Sequence, residues 1–189
     1  MMREYVCMYN LDDKCSIPIG EPDAPASILT RQKKRFGTGK CDSSDHDHIK
    51  MHLTPSVINK FGKPPRRVEE SFFGGEVNTI LKCSIFEQST AKRHMVELEK
   101  NHSSDLSPIR MIYTDGGGDH RTPFISVQLS YIAYFLNNDL DMLISTRTPP
   151  GFSVLNPCER IMSTLNIGLN GLALGRERSN PNEEKKLNL

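Results

Sequence analysis

An apolar run closes on an acid and a glycine turn at Tyr113-Thr114-Asp115-Gly116-Gly117-Gly118-Asp119-His120. Downstream, Leu155-Asn156-Pro157-Cys158-Glu159-Arg160 sets a glutamate just inside a loop-to-helix junction, and near the N-terminus Asp12-Asp13-Lys14 ends a strand-like run. Carboxylates at the ends of separate elements are what a site for two divalent cations requires. Mg²⁺ or Mn²⁺ takes hard oxygen ligands, and one or two carboxylates plus substrate phosphates suffice to hold it. Paired cations of this kind drive in-line displacement at phosphorus. The expectation is a site at which Asp12, Asp115 and Glu159 hold Mg²⁺ (or Mn²⁺) for polynucleotidyl transfer. Each acid also has an ordinary reading: Asp115 as part of a strand-to-helix loop, Glu159 as a complement to the helix dipole, Asp12 and Asp13 as strand terminators.

The elements that must position these groups are legible in the apolar pattern. Residues 4–11 form a strand candidate that ends on Asp12 and Asp13, and Cys15–Gly20 is short and broken by Pro18, as an edge strand or hairpin return would be. Residues 20–30 carry two prolines, Pro22 and Pro25, and are expected as loop. Strands are expected over 49–58 and over 77–86, where β-branched and apolar residues concentrate. Ser89 or Thr90 caps a helix whose stripe is Ala91, Met95 and Leu98. Residues 109–114 form a compact strand delivering Asp115. Thr122 and Pro123 are expected to start the next helix, striped by Phe124, Val127, Tyr131 and Phe135. A strand over 140–145 and a last helix from about Leu155, striped by Ile161, Leu165, Leu169 and Leu172, complete the order. The tail from Arg176 is polar and expected to be disordered.

This order predicts an α/β fold, a mixed sheet flanked by helices, with an antiparallel first part and parallel crossovers later. It is the element order of a ribonuclease H-like domain, here covering residues 4–175 with residues 176–189 as tail. A chain of 189 residues suits one domain with a full core. The balance of 24 Lys+Arg against 23 Asp+Glu, net +1, does not advertise nucleic-acid binding by itself. No long apolar stretch offers a membrane span, and Met1-Met2-Arg3-Glu4 lacks the apolar core of a signal peptide. Cys7, Cys15, Cys41, Cys83 and Cys158 are odd in number and follow no CxxC spacing, so they are read as reduced thiols of an intracellular protein.

Taken together, the acidic motifs resemble the DDE/D transposase and integrase superfamily, which is built on the ribonuclease H-like fold. Asp12-Asp13-Lys14 looks like the acid followed by Glu-Lys at the first strand of mariner-type transposases, which makes Asp12 the first catalytic acid, with Asp13 as the alternative. Their second motif carries a His five positions after its Asp, as His120 follows Asp115 here (120 − 115 = 5). Asn156-Pro157-Cys158-Glu159 resembles their third motif. The chain is also similar to uncharacterised transposon-derived animal proteins that carry Asp-Gly-Gly-x-Asp-His-Arg and Asn-Pro-x-Glu-Arg-Ile-Met-Ser. The likeness covers most of residues 5–172. The second and third acids lie 44 positions apart (159 − 115 = 44), longer than the mariner spacing.

The resemblance implies a two-metal transposase or integrase-like core that cuts or joins DNA strands, with Asp12, Asp115, Glu159 and His120 as catalytic residues. His120 would orient Asp115, position water or contact phosphate, or serve only as a turn residue. Homo-oligomers on DNA ends and a nuclear location are further expectations, as is a fragment lacking the DNA-binding domain that usually precedes such cores. The rival is a domesticated, catalytically inactive descendant that binds nucleic acid or protein. Two basic clusters, Arg31-Gln32-Lys33-Lys34-Arg35 and Lys63-Pro64-Pro65-Arg66-Arg67, are candidate phosphate contacts. Lys33, Lys34, Arg35, Arg66 and Arg67 are the named candidates, and the first cluster also fits a nuclear import signal. Cys41-Asp42-Ser43-Ser44-Asp45-His46-Asp47-His48 matches no strong zinc pattern and is read as a polar loop.

Overall fold

A computed structural model describes residues 2–13, 15–20, 25–28, 51–67, 69–71, 73–149 and 151–187. It divides the chain into two compact units. The first comprises Met1–Lys14, Pro55–Ile80 and Ser89–Met162; the second comprises Cys15–Thr54, Leu81–Gln88 and Ser163–Leu189.

The first unit is built on a mixed sheet. Its central strand β1 (Val6–Asp13) is buried along almost its whole length, as expected of an apolar run covered on both faces. The strands that follow are β2 (Ile17–Ile19), β3 (Ala26–Ser27), β4 (Met51–Gly62), β5 (Glu76–Cys83), β6 (Ile109–Thr114) and β7 (Met142–Arg147). The sheet runs β5–β4–β1–β6–β7. β1 is antiparallel to β4 and parallel to β6, and β6 is parallel to β7. The parallel pairs need crossovers, and helices α1 (Ala91–Asn101) and α2 (Ile125–Asn137) supply them.

Thr90 caps α1, its hydroxyl accepting from the Arg93 amide at 3.2 Å. The start of α2 differs from the expectation. Phe124 is the boundary residue and makes no side-chain cap; Thr122 and Pro123 lie in the turn before it. Ala91, Met95 and Leu98 of α1 and Val127, Tyr131 and Tyr134 of α2 pack with Cys7, Tyr9, Leu11, Ile58, Ile112 and Leu140 into one core.

A buried polar clamp holds the lower end of β6. Arg110 is 2 % exposed. Its Nη1 donates to the Tyr134 hydroxyl and, at 2.9 Å, to Asn138 Oδ1, while Nη2 donates to the Asp105 carbonyl at 2.7 Å. Asp105 in turn accepts from the Tyr9 hydroxyl and from the Ser107 amide. The clamp ties β1, β6 and the end of α2 together away from the acidic end of the sheet.

In the second unit β2 pairs with the first residues of β4, and β3 pairs with β8 (Ala173–Leu174). Residues past Arg176, expected as a disordered tail, instead carry helix α4 (Pro181–Leu187), where Glu184 accepts from both terminal nitrogens of the Arg176 guanidinium. Sequence patterning missed it because the helix has no apolar stripe and is fixed by an ion pair.

Replacement of Arg110 by Ala removes the donor to Asn138 Oδ1, the Tyr134 hydroxyl and the Asp105 carbonyl. The expected loss of stability is about 3 kcal/mol, to be measured by urea unfolding; a change under 0.5 kcal/mol would show that the clamp carries little.

Candidate functional site

The register of the sheet sets Asp12 beside Asp115. Leu11 of β1 stands opposite Thr114 of β6 in the parallel pair. Neighbouring strands lie roughly 4.8 Å apart, so the next residue on each, Asp12 and Asp115, leaves the sheet from adjacent positions. Gly116 then takes φ +79°, a left-handed turn that a side chain would strain. The Gly117 amide donates to Asp115 Oδ1 at 2.8 Å. A Cβ on Gly117 would stand 3.2 Å from that oxygen and 3.1 Å from Asp119 Oδ1, so the glycine lets the backbone close over both carboxylates.

Helix α3 (Pro157–Leu169) brings the third acid. Its first turn lies in the first unit and is docked on β1 through Asn156 and Cys158. Asn156 Oδ1 accepts from the Cys158 amide at 3.1 Å, the capping role read from the sequence. The other end of the same amide donates to Leu11 O at 3.3 Å and to Asp12 Oδ2 at 3.2 Å. The Cys158 thiol donates to Asn10 O at 3.2 Å. Fully buried, Asn156 and Cys158 fix the turn from which Glu159 projects.

The electrostatics report the convergence. Asp12 is 6 % exposed, and its carboxyl is pushed up to about 8. Burial is the largest cause, followed by the negative charges of Asp115 and Glu159. The hydrogen bond from the Asp13 amide pulls the other way without prevailing. Without a counter-charge the fold keeps a proton on Asp12 near neutral pH; a hard cation can take its place. Cys158, beside the acids, is likewise raised by burial first and by the charge of Asp12.

Asp13 serves a second cluster. Its carboxylate accepts from the Ser89 hydroxyl, and its Oδ2 lies 3.6 Å from His94 Nε2. His94, on the buried face of α1, approaches Asp119 Oδ2 to 2.6 Å. The His120 ring packs on His94 with centroids 4.4 Å apart. His120 is 3 % exposed, and burial lowers its imidazole to about 4, with the charge of His94 next. Against the penalty of burial, the hydrogen bond from His94 holds Asp119 well below the usual carboxylate range.

The sequence-expected acids Asp12, Asp115 and Glu159 therefore stand within electrostatic reach of one another. His120 senses the charges of Asp115 and Asp13 but packs against His94 and lies near Asp119. Arg66 and Arg67 are exposed in the turn region after β4. Lys33, Lys34, Arg35 and the Cys41–His48 segment lie outside the described residues. Among the described residues no helix is long and apolar enough to cross a membrane. Sequence reasoning missed His94, Ser89 and the second role of Asn156. One signal for His94 was available: residue 94 falls at the i+3 position of the stripe Ala91, Met95, Leu98, so an ionisable ring sits where the pattern demands burial.

Comparison of the chain with protein-family models, curated proteins and solved structures found no match.

The Asp12 carboxyl titrates higher in the fold than in the unfolded chain. Its contribution is fully present below pH ~4 and is lost as pH rises to about 8. In the absence of divalent cations, Asp12→Asn should raise the melting temperature at pH 8 by about 5 °C and change little at pH 4. Thermal melts at the two pH values measure it; equal shifts at both would contradict the raised carboxyl.

Proposed function

We propose that the first unit is the catalytic core of a transposase-like, metal-dependent polynucleotidyl transferase. The observation that carries this reading is the geometry at the end of β1: the register sets Asp12 beside Asp115, and Asn156, which caps the helix carrying Glu159, donates to Asp12 Oδ2 at 3.2 Å. A fold gains nothing in stability from gathering negative groups around a buried acid, and such clusters mark functional sites. The sheet order β5–β4–β1–β6–β7, with antiparallel pairing on one side of β1 and parallel pairing on the other, is compatible with a ribonuclease H-like fold. It supports the same reading.

The donor set fits Mg²⁺ or Mn²⁺, because Asp12, Asp115 and Glu159 offer only hard carboxylate oxygens. When bound, paired cations supply activation of the attacking hydroxyl and stabilisation of the leaving oxygen. The chain's own residues do the positioning. Asn156 Nδ2 holds Asp12 Oδ2, the Asp13 amide holds Asp12 Oδ1, and the Gly117 amide holds Asp115 Oδ1. Each carboxylate is therefore oriented before any ligand arrives, which lowers the cost of assembling the site. Glu159 joins the set from the first turn of α3, its charge acting on Asp12. Arg66 and Arg67 are exposed cations on the same unit, suited to backbone phosphates.

The test is strand nicking of a fluorescent duplex with Mg²⁺ or Mn²⁺. Asp115→Asn and Glu159→Gln are each expected to reduce nicking by 10³-fold or more on the order-of-magnitude scale of lost electrostatic catalysis, with unchanged circular dichroism. Replacing Arg66 and Arg67 by Glu should weaken DNA binding and flatten the salt slope by roughly 2. Nicking retained by Asp115→Asn would remove that acid from the chemistry. DNA binding with no nicking by the parent chain would favour the non-enzymatic descendant.

A further inference from the structure

The cluster on the other side of Asp13 has a composition the acidic site does not explain. His94, Asp119 and His120 each offer one ligand atom, and these atoms all lie within 4.8 Å of one another. His120 is buried in the middle of this polar group, yet neither of its ring nitrogens has a hydrogen-bond partner among the described residues. A buried polar group without a partner costs free energy comparable to a lost hydrogen bond. Its Nε2 is 3.9 Å from Asp119 Oδ2, close to that carboxylate but too far to bond it. What is missing is a shared acceptor of lone pairs.

We propose that His94, Asp119 and His120 form a binding site for a zinc-type transition-metal cation, separate from the carboxylate site, with Asp13 Oδ2 3.6 Å from His94 Nε2 beside it. Two imidazole nitrogens with carboxylate oxygen form a borderline donor set, which suits Zn²⁺ and Co²⁺ far better than Mg²⁺. At metal–ligand bonds of about 2.0–2.1 Å, tetrahedral ligand atoms stand roughly 3.3 Å apart. The spacings of 2.6 Å for His94–Asp119 and 3.9 Å for His120–Asp119 lie on either side of that value, and the three ligand atoms lie within 4.8 Å of one another.

The surroundings supply what such a ligand set needs. His94 Nε2 faces Asp119, and Nδ1, on the other side of the ring, stands 3.5 Å from the buried Ser56 hydroxyl. That is the outer-sphere contact that fixes the tautomer of a metal-bound histidine. Ser89 donates to Asp13 and stands 3.4 Å from Asp119 Oδ2, orienting both carboxylates. The bound ion would fasten two elements, α1 through His94 and the loop after β6 through Asp119 and His120. That loop also carries Asp115, so the cation would set the position of a residue it does not touch.

Titration of the metal-free full chain with Co²⁺, followed by absorption and then displaced by Zn²⁺, tests the proposal. The expected result is one visible band of tetrahedral type that saturates at one ion per chain and survives a large excess of Mg²⁺. His120→Gln and Asp119→Asn should each weaken binding roughly tenfold or more. Glu159→Gln, in the carboxylate site, should leave it unchanged, as should joint replacement of Cys41, His46 and His48. Should a variant fail to fold, ring-nitrogen NMR of the parent chain gives an independent reading. Of its six histidines, only His94 and His120 should shift on adding Zn²⁺. No band and no histidine shift would overturn the proposal. So would binding retained by His120→Gln, or binding lost only with the Cys41, His46 and His48 replacements.

Discussion

Asp12 is buried at the end of β1 with Asp115 and Glu159 near enough for their charges to bear on it, and that mutual repulsion constrains everything around it. Like charges brought out of water separate or protonate unless the scaffold holds them. Here the scaffold is rigid at each point. Parallel pairing of β1 with β6 fixes Asp12 beside Asp115, and the docked first turn of α3 fixes the approach of Glu159. The cost appears as a proton retained on Asp12. The divalent cation proposed for this site would supply the positive charge that the buried Asp12 carboxyl lacks.

The end of β1 uses strand alternation to send neighbouring acids into two different side-chain clusters. Successive side chains of a strand point to opposite faces. Asp12 joins the hard oxygen donors, while Asp13 joins Ser89, His94 and Asp119. The glycine loop after β6 divides its acids in the same way, Asp115 to one group and Asp119 with His120 to the other. Gly117 is the hinge of this division, since a Cβ there would press on both Asp115 and Asp119. The two clusters are thus mechanically linked through β1 and one loop, although their ligand types differ.

How much of this was legible in the sequence follows from range. The acids were readable because each sits at a local boundary: an apolar run stopping at Asp12, a glycine turn after Asp115, a cap and proline before Glu159. The core helices were readable from their period, and Thr90 as a cap from its side chain. The start of α2 was misplaced because the Thr122-Pro123 signal belongs to a turn, and Phe124 begins the helix without any capping side chain. The split into two units and the ion-paired helix α4 were not legible, since neither leaves a periodic apolar trace. The His94 cluster depends on pairing across residues 13, 94 and 119, a tertiary fact that no local pattern encodes. The same holds for the Asn156 amide, whose cap half is local and whose Asp12 half spans the length of the fold.

The central claim is that Asp12, Asp115 and Glu159 share hard divalent cations. Anomalous diffraction from crystals of the full chain soaked in Mn²⁺ addresses it most directly. The account requires manganese density bounded by the carboxylates of Asp12, Asp115 and Glu159, lost when Asp12 is replaced by Asn. Ordered carboxylates with no manganese between them at saturating concentration, or density confined to His94, Asp119 and His120, would contradict it.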